Sequence, residues 1–94
     1  MVERKHVDGR RPADILLYTL TTCGWCKRTK ALLQEVGIGY DYIDVDTVDP
    51  SELEAVKDEL IRWNPAGSFP TVVVNKQSCI IGFDEDKLRR LAGE

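Results

Sequence analysis

The chain has 94 residues, enough for one domain near the lower end of what a single packed core supports. A net charge of −3 gives no basis for a nucleic-acid or anionic-membrane partner, and 31% charged with 43% apolar residues is an ordinary globular balance. No apolar stretch nears the roughly 20 residues of a membrane helix, and the first six residues lack the apolar centre of a signal peptide.

Residues 1–13 are charged, carry Gly9 and Pro12, and show no apolar period, so they read as a flexible N-terminal arm or a short extra edge strand. Nothing around His6 suggests a role. Ile15 to Leu20 is a continuous apolar run, the pattern of a strand buried on both faces. From Trp25 onward, Cys26, Thr29, Leu33 and Val36 recur at helical spacing, and Gly37 supplies a helix stop. Tyr40 to Val45 predicts a second strand. Asp49-Pro50-Ser51-Glu52 is a helix start, with Asp49 as cap, Pro50 in the first turn and Glu52 placed for a capping box. Leu53, Val56, Leu60 and Trp63 form that helix's buried stripe, and Asn64-Pro65 ends it.

Thr71 to Val74 and Ser78 to Ile81 flank Asn75-Lys76-Gln77 and predict a hairpin. After Gly82, the acids Asp84, Glu85 and Asp86 favour the start of a final helix, and Arg89 and Arg90 its end. The economical packing is an α/β fold, a βαβ unit joined to a ββα unit, with helices flanking a four-stranded mixed sheet over residues 14–94.

The chemistry sits at Cys23-Gly24-Trp25-Cys26, directly after the first buried strand and at the start of a helix. Such a pair is either a redox dithiol or half of a metal site. At a helix N-terminus the free N–H groups and the dipole favour a thiolate on Cys23, making it a nucleophile near neutral pH. An odd number of cysteines argues against a secreted disulfide framework, and in a reducing cytoplasm, where this protein is expected, a close pair is catalytic or metal-binding more often than structural. A zinc site needs four ligands; beyond the pair only Cys79 and His6 remain, so no metal is expected. Cys79, in the predicted last strand, reads as a buried inert thiol.

Three motifs in order, Thr21-Thr22-Cys23-Gly24-Trp25-Cys26-Lys27, Ser68-Phe69-Pro70-Thr71 and Gly82-Phe83-Asp84, make the chain resemble the glutaredoxin family of the thioredoxin fold over roughly residues 14–92. The resemblance implies a thiol–disulfide oxidoreductase that reduces protein disulfides or glutathione mixed disulfides. Cys23 would attack and Cys26 would resolve the mixed disulfide. Lys27 would favour the thiolate, with Arg28 and Lys30 as further cations. Trp25 would offer a stacking surface or pack against the loop before Pro70. Phe69-Pro70 falls at the family's cis-proline, which would turn the Phe69 backbone toward an extended peptide or glutathione. Phe83 and Asp84 would receive the γ-glutamyl end of glutathione, although Asp84 also suits a helix cap.

The chain departs from the family pattern at three places. Leu20 and Gly67 stand where basic residues are common, and Gly24 replaces a common Pro. The electron donor is therefore open between glutathione and a thioredoxin-reductase-type enzyme, and the protein is expected to act as a monomer without a permanent cofactor. The alternative is a glutathione-assisted carrier that bridges a [2Fe–2S] cluster between two copies through Cys23, since such clusters take four thiolates.

Overall fold

The computed structural model describes residues 4–93; the rest of the expected arm, residues 1–3, and the final Glu94 lie outside the described residues. In chain order the elements are β1 (Lys5–Val7), β2 (Ile15–Thr19), α1 (Gly24–Glu35), β3 (Tyr40–Asp44), α2 (Pro50–Trp63), β4 (Thr71–Val74), β5 (Ser78–Ile81) and α3 (Glu85–Leu91), with a 3-10 turn at Val45–Thr47. The strands form one mixed sheet in the order β1-β3-β2-β4-β5. β2 runs parallel to β3 and antiparallel to β4; β1 on β3 and β5 on β4 are antiparallel.

The period of a strand explains why β2 is apolar throughout. Successive side chains point to opposite faces, so Ile15 and Leu17 enter one core while Leu16 and Tyr18 enter the other. The first core is closed by Leu32 and Leu33 of α1 and Leu88 of α3. The second is closed by Val56 and Leu60 of α2. Helices therefore cover both faces, and the α/β class expected from the pattern is what forms.

The expected four-stranded sheet is corrected to five strands. Lys5–Val7 lies along the otherwise open edge of β3, pairing Lys5 with Tyr42 and Val7 with Tyr40, and Val7 packs against the first core. Three residues are too few to show an alternating pattern, so only the neighbouring edge defines this strand. The chain after it is also laced down: the Arg10 amide donates to the Gly37 carbonyl at 2.8 Å and the Gly39 amide to the Arg10 carbonyl at 2.7 Å. Gly9 and Gly39 permit that approach, because a Cβ on Gly9 would lie 2.4 Å from the Gly39 nitrogen.

The helix boundaries follow the local chemistry. Gly37, at φ +77°, leaves α1, and the Ile38 amide reaches back to Leu33 at 2.9 Å. Asp49 caps α2 by accepting from the Ser51 amide at 2.9 Å. Val45, read as the end of a strand, instead opens the 3-10 turn. Among the described residues no helix is long and apolar enough to cross a membrane.

Candidate active site

Cys23 is the residue that caps α1. Its backbone is extended, and its sulfur accepts the Cys26 amide N–H at 3.1 Å. One of the helix's free N–H groups is thus aimed at the sulfur, and a negative sulfur gains more from it than a neutral thiol does. The approach to Cys23 is held by its neighbours. The Cys23 amide donates to the Leu20 carbonyl at 3.2 Å, and the Thr21 amide and hydroxyl both donate to Asp46, on the 3-10 turn after β3. These contacts hold the Asp46 carboxyl below its ordinary pKa, the Thr21 side-chain bond contributing most.

Cys26 is the opposite kind of thiol. It lies one turn into the helix with no exposed surface. Burial, then its hydrogen bond with Cys23, pushes its pKa up from 9.0 to about 12, while the positive charge of Lys30 pulls the other way. An accessible, capped sulfur and a buried protonated one are the two unlike thiols that stepwise disulfide exchange requires. Both are free in this structure.

The three cations after the pair have different surroundings. Lys27 is exposed and forms no ion pair among the described residues. Arg28 lies over the Trp25 ring, 5.2 Å from its centroid. Lys30 turns inward: its ammonium is 3.2 Å from Asp44 at the end of β3 and 3.9 Å from the centre of the Tyr42 ring. Asp44 is buried and also accepts the Thr19 hydroxyl at 2.6 Å.

Opposite the helix N-terminus, the Phe69–Pro70 peptide is cis. The Gly82 amide donates to the Pro70 carbonyl at 2.8 Å, tying this loop to the turn before α3. Trp25, Phe69, Pro70, Gly82 and Phe83 line a groove of about 220 Å³. Trp25 is 54% exposed and tilts against Phe83, ring centres 5.6 Å apart. It therefore meets Phe83 across the groove, a partner the sequence did not point to. Among the described residues neither the amide nor the carbonyl of Phe69 takes a hydrogen bond.

The fold thus gathers Trp25, Phe69, Pro70 and Phe83 into one groove beside the dithiol's helix. Lys27 and Asp84 do not line it. Asp84 caps α3, accepting the Lys87 amide at 3.1 Å. Cys79, expected to be buried, is only partly so, and its thiol donates to the Trp63 carbonyl at 3.1 Å. Among the described residues no three His, Cys, Asp or Glu side chains come together as a metal site would need.

One supporting residue was missed. Asn64, 1% exposed, donates from Nδ2 to the Ser68 hydroxyl and the Thr71 hydroxyl, each at 3.0 Å, and accepts the Ala66 amide at 3.1 Å. It fastens the loop that carries Phe69 and Pro70. Before a proline, an asparagine reads simply as a helix end, and no local signal separates the two roles.

The glutaredoxin family model matches residues 15–79. The glutaredoxin of Methanosarcina mazei superposes with a TM-score of 0.87 at 40% identity, covering 97% of this chain and 88% of that one. The methanoredoxin of Methanosarcina acetivorans does so with a TM-score of 0.86 at 37% identity, covering 92% and 90%. A glutaredoxin-like 8.6 kDa protein of Clostridium pasteurianum is 27% identical over 77 residues, 82% of this chain and 95% of that protein. With its thioredoxin-like sheet and a Cys-Gly-Trp-Cys site at the head of α1, the chain belongs to the glutaredoxin family.

Proposed function

We propose that the protein is a dithiol oxidoreductase of the reducing cytoplasm, with Cys23 as nucleophile and Cys26 as resolving thiol. The observation that carries this is the Cys26 N–H aimed at the Cys23 sulfur at 3.1 Å while Cys26 itself is buried. The Cys23 thiolate attacks a substrate disulfide; a Cys23–substrate disulfide forms and the substrate's other sulfur leaves as a thiolate. Cys26 then gives up its proton and attacks the Cys23 sulfur. The intramolecular disulfide forms, the second substrate sulfur leaves as a thiolate, the proton from Cys26 passes to a substrate thiolate, and the substrate has gained two electrons.

The groove supports an extended substrate. Phe69 offers an unpaired backbone amide and carbonyl, to which a peptide can add in strand fashion, while Trp25 and Phe83 supply an apolar wall. Disulfide-bearing proteins are the substrate class that suits this arrangement. Glutathione, the reductant the family implies, would meet neither of the two missing basic residues: Leu20 and Gly67 carry no charge, and Asp46 is bound to Thr21 nearby. Each exposed charge would hold a carboxylate by about 1 kcal/mol or less. For the cluster-carrier alternative, one chain offers a single accessible thiolate from the pair, because Cys26 is enclosed.

Cys23→Ser should abolish thiol exchange, and Cys26→Ser should block reduction of protein disulfides while leaving exchange with glutathione mixed disulfides. Full activity in Cys23→Ser would overturn the mechanism. Offering the oxidised protein glutathione with its reductase in one assay, and a thioredoxin reductase in another, identifies the donor.

A further inference from the structure

We propose that the α2 side of the sheet carries a second binding site, separate from the dithiol, for a small organic anion with an apolar ring or hydrocarbon body. A cavity of about 330 Å³ opens there, within the size range of small-molecule sites. Its floor is apolar: Leu16 and Tyr18 of β2 and Val73 of β4, all buried, with the Trp63 side chain as a half-buried wall. These residues belong to the core on the α2 face, opposite α1, and none lines the groove beside the dithiol.

The rim decides the charge of the ligand. Arg4, Arg62 and Lys76 stand at the cavity, all exposed, and none forms an ion pair among the described residues. Two acids share the rim; one is paired with a cation, and the other keeps its charge while accepting a neutral hydroxyl. Asp14 is held by Arg11 at 3.1 Å, and Glu59 accepts the Tyr18 hydroxyl at 3.2 Å. Three unpaired cations around one apolar cavity are a local excess in a chain whose net charge is −3. Elsewhere Arg11 and the partly buried Arg89 have carboxylate partners, while, among the described residues, the exposed Lys27 stands alone rather than at a cavity. An apolar body on Val73 and Trp63, with its anionic group turned to the rim, would satisfy both halves of the site. Carboxylate and phosphate share that chemistry.

The test is an NMR titration of the full chain, ¹⁵N-labelled, with 3-phenylpropionate, phenyl phosphate and the neutral 3-phenylpropionamide. The expected result is saturable shifts at the Trp63 indole N–H and the Leu16 and Val73 amides with one or both anions, the responding anion identifying the charged group. The amide should bind roughly tenfold more weakly, and Arg62→Glu with Lys76→Glu should weaken the anion by a similar factor, since two exposed charges are reversed. Arg62→Lys should retain binding, and the double variant should keep thiol exchange at Cys23, showing that it is folded. Equal binding of the amide, unchanged affinity in the double variant, or shifts confined to Trp25 and Phe83 would overturn the proposal, as would no saturable shift with either anion. Loss of the dithiol reading would leave it untouched, because the two sites share no residue.

Discussion

Replacing Asn64 with alanine tests whether the loop carrying the cis-proline is held by one buried side chain. The Asn64 amide nitrogen has contacts to the Ser68 carbonyl at 3.3 Å and to the Ser68 and Thr71 hydroxyls at 3.0 Å. Two N–H groups serve these three acceptors, and Oδ1 takes the Ala66 amide at 3.1 Å, so about three net hydrogen bonds are lost. Ser68 and Ala66 are exposed and recover water, whereas the Thr71 hydroxyl is fully buried and keeps only its own bond to the Ser68 carbonyl at 2.9 Å. At about 1 kcal/mol for each bond, with a further penalty at Thr71, Asn64→Ala should cost about 2–4 kcal/mol. Urea unfolding of the reduced protein should show the lower midpoint with an unchanged slope. Because Phe69 and Pro70 ride on this loop, kcat/KM for a protein disulfide should fall as well. A double-mutant cycle with Thr71→Val should report coupling of about 1 kcal/mol between the two side chains. A loss below about 0.5 kcal/mol, or strict additivity in the cycle, would refute the reasoning.

Iodoacetamide at neutral pH should alkylate Cys23 well before Cys26, because the buried Cys26 thiol titrates only near 12; peptide mass mapping checks the order, and equal labelling would contradict the assignment. Lys30→Met removes the ammonium 3.2 Å from the buried Asp44 carboxylate, leaving Lys5 at 3.8 Å and the Thr19 hydroxyl. Denaturation should show a loss of about 2–3 kcal/mol, below a fully buried pair because Lys30 is partly exposed, with most of it restored by adding Asp44→Asn. At the β1 edge, His6 donates to Asp41 at 2.7 Å, which raises the His6 pKa and lowers that of Asp41 through one shared contact. The raised His6 value means its contribution is complete below 6.5 and lost as pH rises through the folded pKa; the Asp41 contribution is complete above 3.8 and lost as pH falls. Protection of the β1 amides against hydrogen exchange, corrected for intrinsic rate, should therefore decline from pH 6 to 9, and His6→Ala should flatten that profile.

The periodicities of β2, α1, α2 and the β4–β5 hairpin were legible because each element buries a long side-chain stripe, and a stripe writes its period into the sequence. The caps were legible for the same local reason: Asp49, Asp84 and Gly37 act within a few residues of themselves. The place of Cys23 at the head of α1 was legible because the helical period begins directly behind it. β1 was legible only as one of two readings, a flexible arm or an extra edge strand, since three polar-leaning residues form a strand only when the edge of β3 is beside them.

Residue order along the chain therefore settled the α/β class and the order of elements from β2 to α3, and placed the cysteine pair at the head of α1. Tertiary structure decided what surrounds them. It turned Lys30 rather than Lys27 toward a buried carboxylate, set Trp25 against Phe83, and made Asn64 the anchor of the Pro70 loop. Each of these joins residues from separate elements, 14 positions apart for Lys30 and Asp44 and 58 for Trp25 and Phe83, or depends on burial, as Asn64 does. Local spacing records only what a residue does to its near neighbours. Which distant partner it meets is set when the sheet closes and the helices dock on its two faces.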